Sequence, residues 1–398
     1  MTRPEDRFPL GAQLTQTQQA RDPYPLFARM LAEEPVSWVP AFNLWMVTRR
    51  DDVIEILRDA DTFTMEPEGG QINPMEDTFG PMMLSIDGPD HKRIRDVFVE
   101  PYRPRHVKSF YADLISRISG QLLDEMAQQE LVDLDRDFSD RLAIYTVVAT
   151  LGFAIDDIDQ FRGWYDEFAL AIGNTAHDEE IRRRGKQAFA EFHQLVLAQI
   201  TKLQAAPNNS VLSQIVHNEA TRLTVDQIVS NVALTFFGGV ETTSAMLSNT
   251  LWALLSHPEQ LAQVRLRPGL LAAAIEESLR WEAPVQSAMR FPVRDVALHG
   301  VRIGRGEKIY GMLGAANRDP AFYPDPDRFD IHRPNSDKHL SFAYGPHFCF
   351  GAPLARLEGQ LGLGLLLQRF PNLRLHPDHP TAPYGHEFRS TPNLYVTW

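Results

Sequence analysis

Cysteine is almost missing from this chain. Of 398 residues only Cys349 carries a thiol, which excludes any intrachain disulfide and any multi-cysteine zinc or iron–sulfur site. Whatever Cys349 does, it does alone. Positive charge is scarce as well: 39 Lys and Arg stand against 52 Asp and Glu, a formal charge of -13. That balance argues against general binding to nucleic acid or to an anionic membrane surface. Long apolar runs are lacking too. The nearest, residues 242–258, carries Ser244, Ser248, Asn249 and Thr250 and follows Glu241, so it falls short of the ~20 apolar residues of a membrane span. The opening stretch, Met1 to Arg7, has no apolar core behind its charges; no secretory signal is expected, and a cytoplasmic location is. No Gly/Ser linker, low-complexity tract or internal repeat divides residues 1–398, which therefore read as one continuous unit.

What is present is ordinary globular composition, 43% hydrophobic and 23% charged, with a texture that changes along the chain. Residues 36–39 and 44–48 are short β-prone runs around a Pro/Asn-containing turn, which predicts a hairpin. From about 105 to 287 apolar residues recur at three and four, as in Phe110, Leu114, Ile115, Ile118 and Leu122; this middle is predicted helical. After Pro292 short strands are expected at 296–298 and 301–303, joined across His299-Gly300, and at 308–313. The Pro-rich stretch 319–334 reads as loop. The clearest long helix should start at Thr224, where Thr224-Val-Asp-Gln227 has the form of a capping box, and run to Ser256 before His257-Pro258 stops it. Inside it sit Gly238, Gly239, Thr242 and Thr243, poor helix formers that helix stability does not explain.

Cys349 lies in Phe342-Ala-Tyr-Gly345-Pro-His347-Phe-Cys349-Phe-Gly351-Ala-Pro353. Pro353 stands where a first helical residue would, followed by Leu354, Leu357 and Leu361 at helical spacing, so the sulfur precedes a helix N-terminus. Unpaired N–H groups and the positive helix end are expected to favour thiolate there, the state of a metal ligand or nucleophile. Gly345 and Gly351 would let backbone approach a bulky planar object, freedom that is wasted around an inert thiol.

Phe342-x-x-Gly345-x-x-x-Cys349-x-Gly351 resembles the haem-binding signature of the cytochrome P-450 superfamily of haem-thiolate monooxygenases. Further landmarks of that family follow in order. Gly238-Gly239-Val-Glu241-Thr242-Thr243 resembles its oxygen-activation motif, which implies a helix loosened over the haem, with Glu241 and Thr242 relaying protons. Glu277-Ser-Leu-Arg280 resembles its Glu-x-x-Arg brace, and either Arg328 or Arg333 is placed to complete a Glu-Arg-Arg cluster. His91-Lys-Arg-Ile-Arg95 resembles its His-x-x-x-Arg pair, one helical face suited to two haem propionates; Arg290 and His347 match further propionate positions. Two departures stand out: Ala343 where glycine is common, and Phe350 where a smaller aliphatic residue usually follows the cysteine. Neither removes a ligand, and both belong to the shell that tunes the metal.

The resemblance implies a mainly α fold with a small β-rich region, the helical triangular prism of that family. It implies haem b (iron protoporphyrin IX) on Cys349 and O2 as co-substrate. The implied reaction inserts one oxygen atom into a small apolar organic substrate, aromatic ones included, by hydroxylation, epoxidation or oxidative O-dealkylation. Electrons would come from a separate ferredoxin or a flavin/iron–sulfur reductase, for which Lys92, Arg93, Arg95, Arg103, Arg105 and Lys108 offer a local basic dock. A peroxide-driven peroxygenase and a non-catalytic haem sensor are the alternative readings. Expected pocket residues are Met75, Phe79, Met82 and Met83, then Phe236, Val240, Val285 and Met289, an apolar and adaptable set. The closing segment from Phe388 to Trp398 resembles endings of bacterial members that oxidise small aromatic or methoxy-aromatic compounds.

Overall fold

The computed structural model describes residues 7–66, 73–155, 158–174 and 176–398; the charged opening, residues 1–6, lies outside them. Helix α1 (Tyr24–Glu33) leads into a hairpin of β1 (Val36–Val39) and β2 (Leu44–Val47), the elements expected from the alternating β-prone runs. Trp38 pairs with Trp45 across it, ring centroids 5.3 Å apart. Asn43 takes φ +53° at the turn, a left-handed conformation that Asn tolerates well. After α2 (Arg50–Arg58) and β3 (Phe63–Thr64), helices dominate: α3 (Pro74–Phe79), α4 (Gly88–Val99), α5 (Pro104–Met126), α6 (Asp140–Leu151), α7 (Ile158–Ile172) and α8 (Glu179–Ala205), with the short β4 (Val132–Asp133) among them.

The 3.6-residue period of α5 turns Val107, Tyr111, Ile115, Ile118 and Leu122 inward. Phe110, one of its expected apolar positions, is exposed instead and lies against His106, centroids 4.4 Å apart. Helix α9 (Val225–Ser256) has 32 residues. Thr224 Oγ1 accepts the Gln227 N–H at 3.2 Å and Gln227 Oε1 accepts the Thr224 N–H at 3.1 Å, the reciprocal capping box read from the sequence. At 1.5 Å per residue the helix is roughly 48 Å long, and most of its side chains are buried. It is the axis on which α6, α7 and α8 pack.

The helical stretch ends earlier than expected. Helix α10 (Leu271–Trp281) closes it, and residues 287–292, which lie between the expected helical part and the strands expected after Pro292, form strand β5 (Ser287–Pro292). The pairing partners supply the reason: β5 lies antiparallel to β8 (Ile309–Met312) and to β3, hydrogen bonds that no local propensity announces. Strands β6 (Val296–Leu298) and β7 (Val301–Ile303) form the expected hairpin, with φ +49° at His299 and +74° at Gly300, the positive pair a tight two-residue turn requires. The sheet order is β1-β2-β8-β5-β3. β2 and β8 run parallel, so residues some 260 positions apart are joined only by folding the whole helical part between them. A second small sheet joins β4, β9 (Arg374–Leu375) and β10 (Tyr395–Thr397). Helix α11 (Ala352–Glu358) follows the cysteine loop.

Candidate functional site

The cysteine loop is closed on itself. The Cys349 N–H donates to the Phe342 carbonyl at 2.9 Å, and between them Ala343 and Gly345 take φ +58° and +72°. A Cβ on Gly345 would stand 2.5 Å from the Leu57 carbonyl oxygen of α2, so only glycine fits that turn. Ala343, in the position where glycine is common, takes this left-handed conformation although it carries a side chain. Phe350 lies on the aromatic edge of Tyr102, 5.1 Å away, and fills space against Phe98 at 6.5 Å.

The sulfur receives the N–H groups of Gly351 and Ala352 at the start of α11, as expected. The expectation that this favours thiolate in the protein alone is corrected: burial pushes the thiol up, and the two N–H groups with Arg95 and Arg356 only partly offset it.

His91 and Arg95 share one face of α4, and the structure brings His347 and Arg290 to them. The His91 and His347 rings stack, centroids 4.2 Å apart. His347 Nε2 lies 2.8 Å from Asp87 Oδ1, and Asp87 also accepts from Thr64 Oγ1 at 2.7 Å and Met65 N at 2.6 Å. Hydrogen bonds outweigh burial and hold Asp87 at about 2. His91 Nε2 is buried without a hydrogen-bond partner among the described residues, and burial with the neighbouring cations pushes its pKa down to about 4. Arg290 is buried, and among the described residues its hydrogen bonds are NH1 to the Met289 carbonyl and to the Met65 sulfur, both 2.7 Å. Burial pulls it to about 10. An unpaired imidazole nitrogen and a buried guanidinium without a carboxylate partner are costly unless an anion meets them. Together with the single thiol they fit a group that has a metal centre and acidic side arms, as haem does. A cleft of ≈ 590 Å³ borders Asp87, His91 and Arg95 from the outside.

On α9 the two glycines differ. Gly238 faces open space, whereas a Cβ on Gly239 would lie 2.9 Å from Val147 Cγ2 of α6. The helix, expected to loosen here, runs unbroken; Thr242 Oγ1 donates to the Gly238 carbonyl at 2.6 Å, adding a bond to the ladder. Glu241 points toward α7, where Tyr165 OH bonds its carboxylate. Burial raises the Glu241 pKa, the Tyr165 bond opposes this, and nearby Asp140 adds to it. Asp140 in turn accepts from Ser244 Oγ at 2.5 Å and pairs with Arg162 at 3.0 Å. Tyr165, Arg162 and Asp140 were missed from the sequence, and nothing in their local pattern marks them: they meet Glu241 only through the α6–α7–α9 contact.

Glu277 and Arg280 are fully buried and joined by two bonds of 2.8 Å. Arg333, not Arg328, reaches Glu277, Nε to Oε1 at 3.2 Å. The Arg328 side chain is 69% exposed, 3.7 Å from Asp330, and only its carbonyl joins the cluster, accepting from Arg280 and Arg333. The tight chain between 325 and 333 turns that side chain out and its carbonyl in.

Of the expected pocket residues, Val285 and Met289 keep part of their surface free, and Val285 is bridged to Phe388. Phe236, Val240 and Met82 are buried in the main apolar core. Phe236 stacks on Phe192 at 5.6 Å and meets Phe161 and Phe168, because its side of α9 faces α7 and α8. Its neighbour Phe237 instead joins Phe79, Tyr165 and Phe388 at 6.3, 6.0 and 5.7 Å. Phe388, which was not among the expected pocket residues, therefore closes the same aromatic row.

A family model described as Cytochrome P450 matches residues 36–266 and 269–394. The chain is 33% identical over 365 residues to the biotin biosynthesis cytochrome P450 of Bacillus subtilis, covering 89% of this chain and 91% of that one. Its fold matches that of P450BioI in complex with an acyl carrier protein ligated to hexadec-9Z-enoic acid, with TM-score 0.86, 32% identity and 95% and 98% of the two chains covered. It matches CYP109E1 of Bacillus megaterium in complex with testosterone with TM-score 0.86, 27% identity and 96% and 99% coverage. A family match that begins at the first hairpin and ends just before the last strand, with a curated relative 33% identical over 89% of this chain, leaves one conclusion: the chain belongs to the cytochrome P450 family.

Proposed function

We propose that this cytochrome P450 monooxygenase inserts one oxygen atom of O2 into an apolar organic substrate, with Cys349 as the axial ligand of haem b. The observation that carries the assignment is the chain's one thiol, in a closed loop where it receives two backbone N–H groups, together with a buried His91 nitrogen and an Arg290 that have no carboxylate partner among the described residues. His91, Arg290 and His347 would hold the propionates, with Arg95 beside them. Haem with a thiolate ligand supplies the electron-rich iron that activates dioxygen. The chain's own residues do the rest. Gly238 leaves room beside α9, and the Thr242 hydroxyl stands one residue from Glu241. Burial raises the Glu241 carboxyl above its ordinary range, which makes it a better proton carrier; bonded to Tyr165, it would pass protons toward Thr242.

The row Phe79, Phe237 and Phe388, with Val285 and Met289, supports an apolar substrate. Small aromatic ethers remain the first class to try. The fatty-acyl and steroid molecules named for the neighbours make long or polycyclic apolar substrates the second. A separate ferredoxin or flavin/iron–sulfur reductase would deliver electrons, and one catalytic domain would span residues 1–398.

The test is the reduced carbon monoxide spectrum with and without Cys349→Ala. A red-shifted Soret band that depends on Cys349 is expected; a histidine-type band in both proteins overturns the assignment. Water-displacing spectral shifts across aromatic ethers, fatty acids and steroids then rank the substrate classes. Turnover supported by peroxide above that supported by a redox partner would favour a peroxygenase instead.

A further inference from the structure

Glu276 stands next to Glu277 on α10, and neighbouring residues on a helix point about 100° apart. While Glu277 braces Arg280 and Arg333, Glu276 accepts from Arg356 through Nε at 2.6 Å and NH2 at 2.8 Å, a two-pronged bond. His339 Nε2 lies 3.2 Å from the same carboxylate. The other nitrogen of that ring, Nδ1, accepts the Ser341 N–H at 3.1 Å, so Nε2 carries the proton and donates to Glu276. Burial pushes the Glu276 carboxyl up, but the bonds from Arg356 and His339 outweigh it and hold it at about 2. The carboxylate is thus fixed and charged.

Arg356 has a second role. It belongs to α11, the helix that starts behind the cysteine, and its guanidinium carbon sits 4.5 Å from the centre of the Phe342 ring. Phe342 is the residue whose carbonyl receives the Cys349 N–H. Through that ring the Arg356 cation lies against the cysteine loop. A cation near the sulfur favours negative charge there and on the metal it binds; an uncompensated carboxylate does the reverse.

We propose that Glu276 and Arg356 are a positioning pair for the thiolate ligand: Glu276 pins the Arg356 cation between the Phe342 ring and the Cys349 loop, and the balance of the two charges sets the reduction potential of the iron. His339 locks the carboxylate in place. This rests on Cys349 being the iron ligand.

The experiment is a spectroelectrochemical titration of the substrate-free holoenzyme and of Glu276→Gln, Arg356→Gln and the double variant, with thermal midpoints and reduced carbon monoxide spectra taken alongside. Glu276→Gln leaves Arg356 without its counter-charge and should raise the potential. Arg356→Gln leaves Glu276 uncompensated and should lower it, and the double variant should fall between them. Arg356→Lys keeps the charge but not the fork, so its potential should stay nearer wild type than that of Arg356→Gln; if Arg356→Gln fails to load haem, the Lys variant and Glu276→Gln decide. Potentials that move the same way, or do not move while thermal stability falls alike, would overturn the proposal and leave the pair a brace of the fold. A wild-type protein without a thiolate-type band would instead sink the ligand assignment, a separate failure.

Discussion

At the scale of single residues, burial decides which charges matter. Glu277 and Arg280 have no solvent exposure, so removing one charge strands the other in a low dielectric. Glu277→Gln should cost about 3–5 kcal/mol, read as a fall in the denaturation midpoint and poorer haem retention. Arg328→Ala should stay within about 0.5 kcal/mol of wild type, because its side chain is exposed and only its carbonyl takes part. Equal losses at the two positions would contradict the geometry. Glu276 gives a pH signature. Its folded pKa, about 2, lies below the ordinary 4.5, so the unfolded chain binds the extra proton between those values. The stability it contributes is complete above about pH 4.5 and is lost as pH falls toward 2. Urea titrations at stepped pH should therefore show a flatter acid limb in Glu276→Gln. The Glu-x-x-Arg spacing was legible in the sequence. The choice of Arg333 over Arg328 was not, since both are arginines in one loop and only the fold aims their side chains.

At the scale of elements, α9 shows how far a sequence reaches. Its start, end and length follow from the Thr224 box and His257-Pro258, local signals acting over a few residues. Thr224→Ala should cost about 1 kcal/mol, measurable by thermal melting. Its two glycines could not be told apart locally, yet they predict opposite outcomes. Gly239→Ala puts a methyl 2.9 Å from Val147 and should destabilise by about 1–3 kcal/mol. Gly238→Ala meets nothing within 4 Å, so it should gain up to about 1 kcal/mol of helix propensity while crowding the space beside Thr242, read as weaker ligand-induced spectral shifts. Stability losses of the same size at both positions would sink this distinction. Strand β5 is the converse case: its residues carry no strand signal of their own, and pairing with β8 and β3 makes them one.

At the scale of the whole molecule, the surface around α4 and α5 is less basic than its sequence suggested. Lys92 pairs with Asp96, Arg93 with Asp90 at 3.4 Å and Arg103 with Glu100 at 2.5 Å, pairs that neutralise each other at helical spacing. Arg105 and Lys108 have no ion pair among the described residues. Arg105→Glu with Lys108→Glu should slow reduction by an acidic iron–sulfur donor at low salt, and the difference should fade as ionic strength rises. Stopped-flow rates that are unchanged at every salt concentration would remove this surface from the electron path. Among the described residues no helix is long and apolar enough to cross a membrane.

The sequence by itself determined the family motifs, the single thiol, the long central helix with its cap, and both hairpins, because each depends on residues within a few positions of one another. Only the tertiary structure decided which side of α9 faces the aromatic core, which arginine meets Glu277, that Tyr165 holds Glu241, and that Arg356 bridges Glu276 and the cysteine loop. Those are contacts between elements tens to hundreds of residues apart, and side-chain direction at such a contact depends on helix rotation and packing that no local pattern encodes.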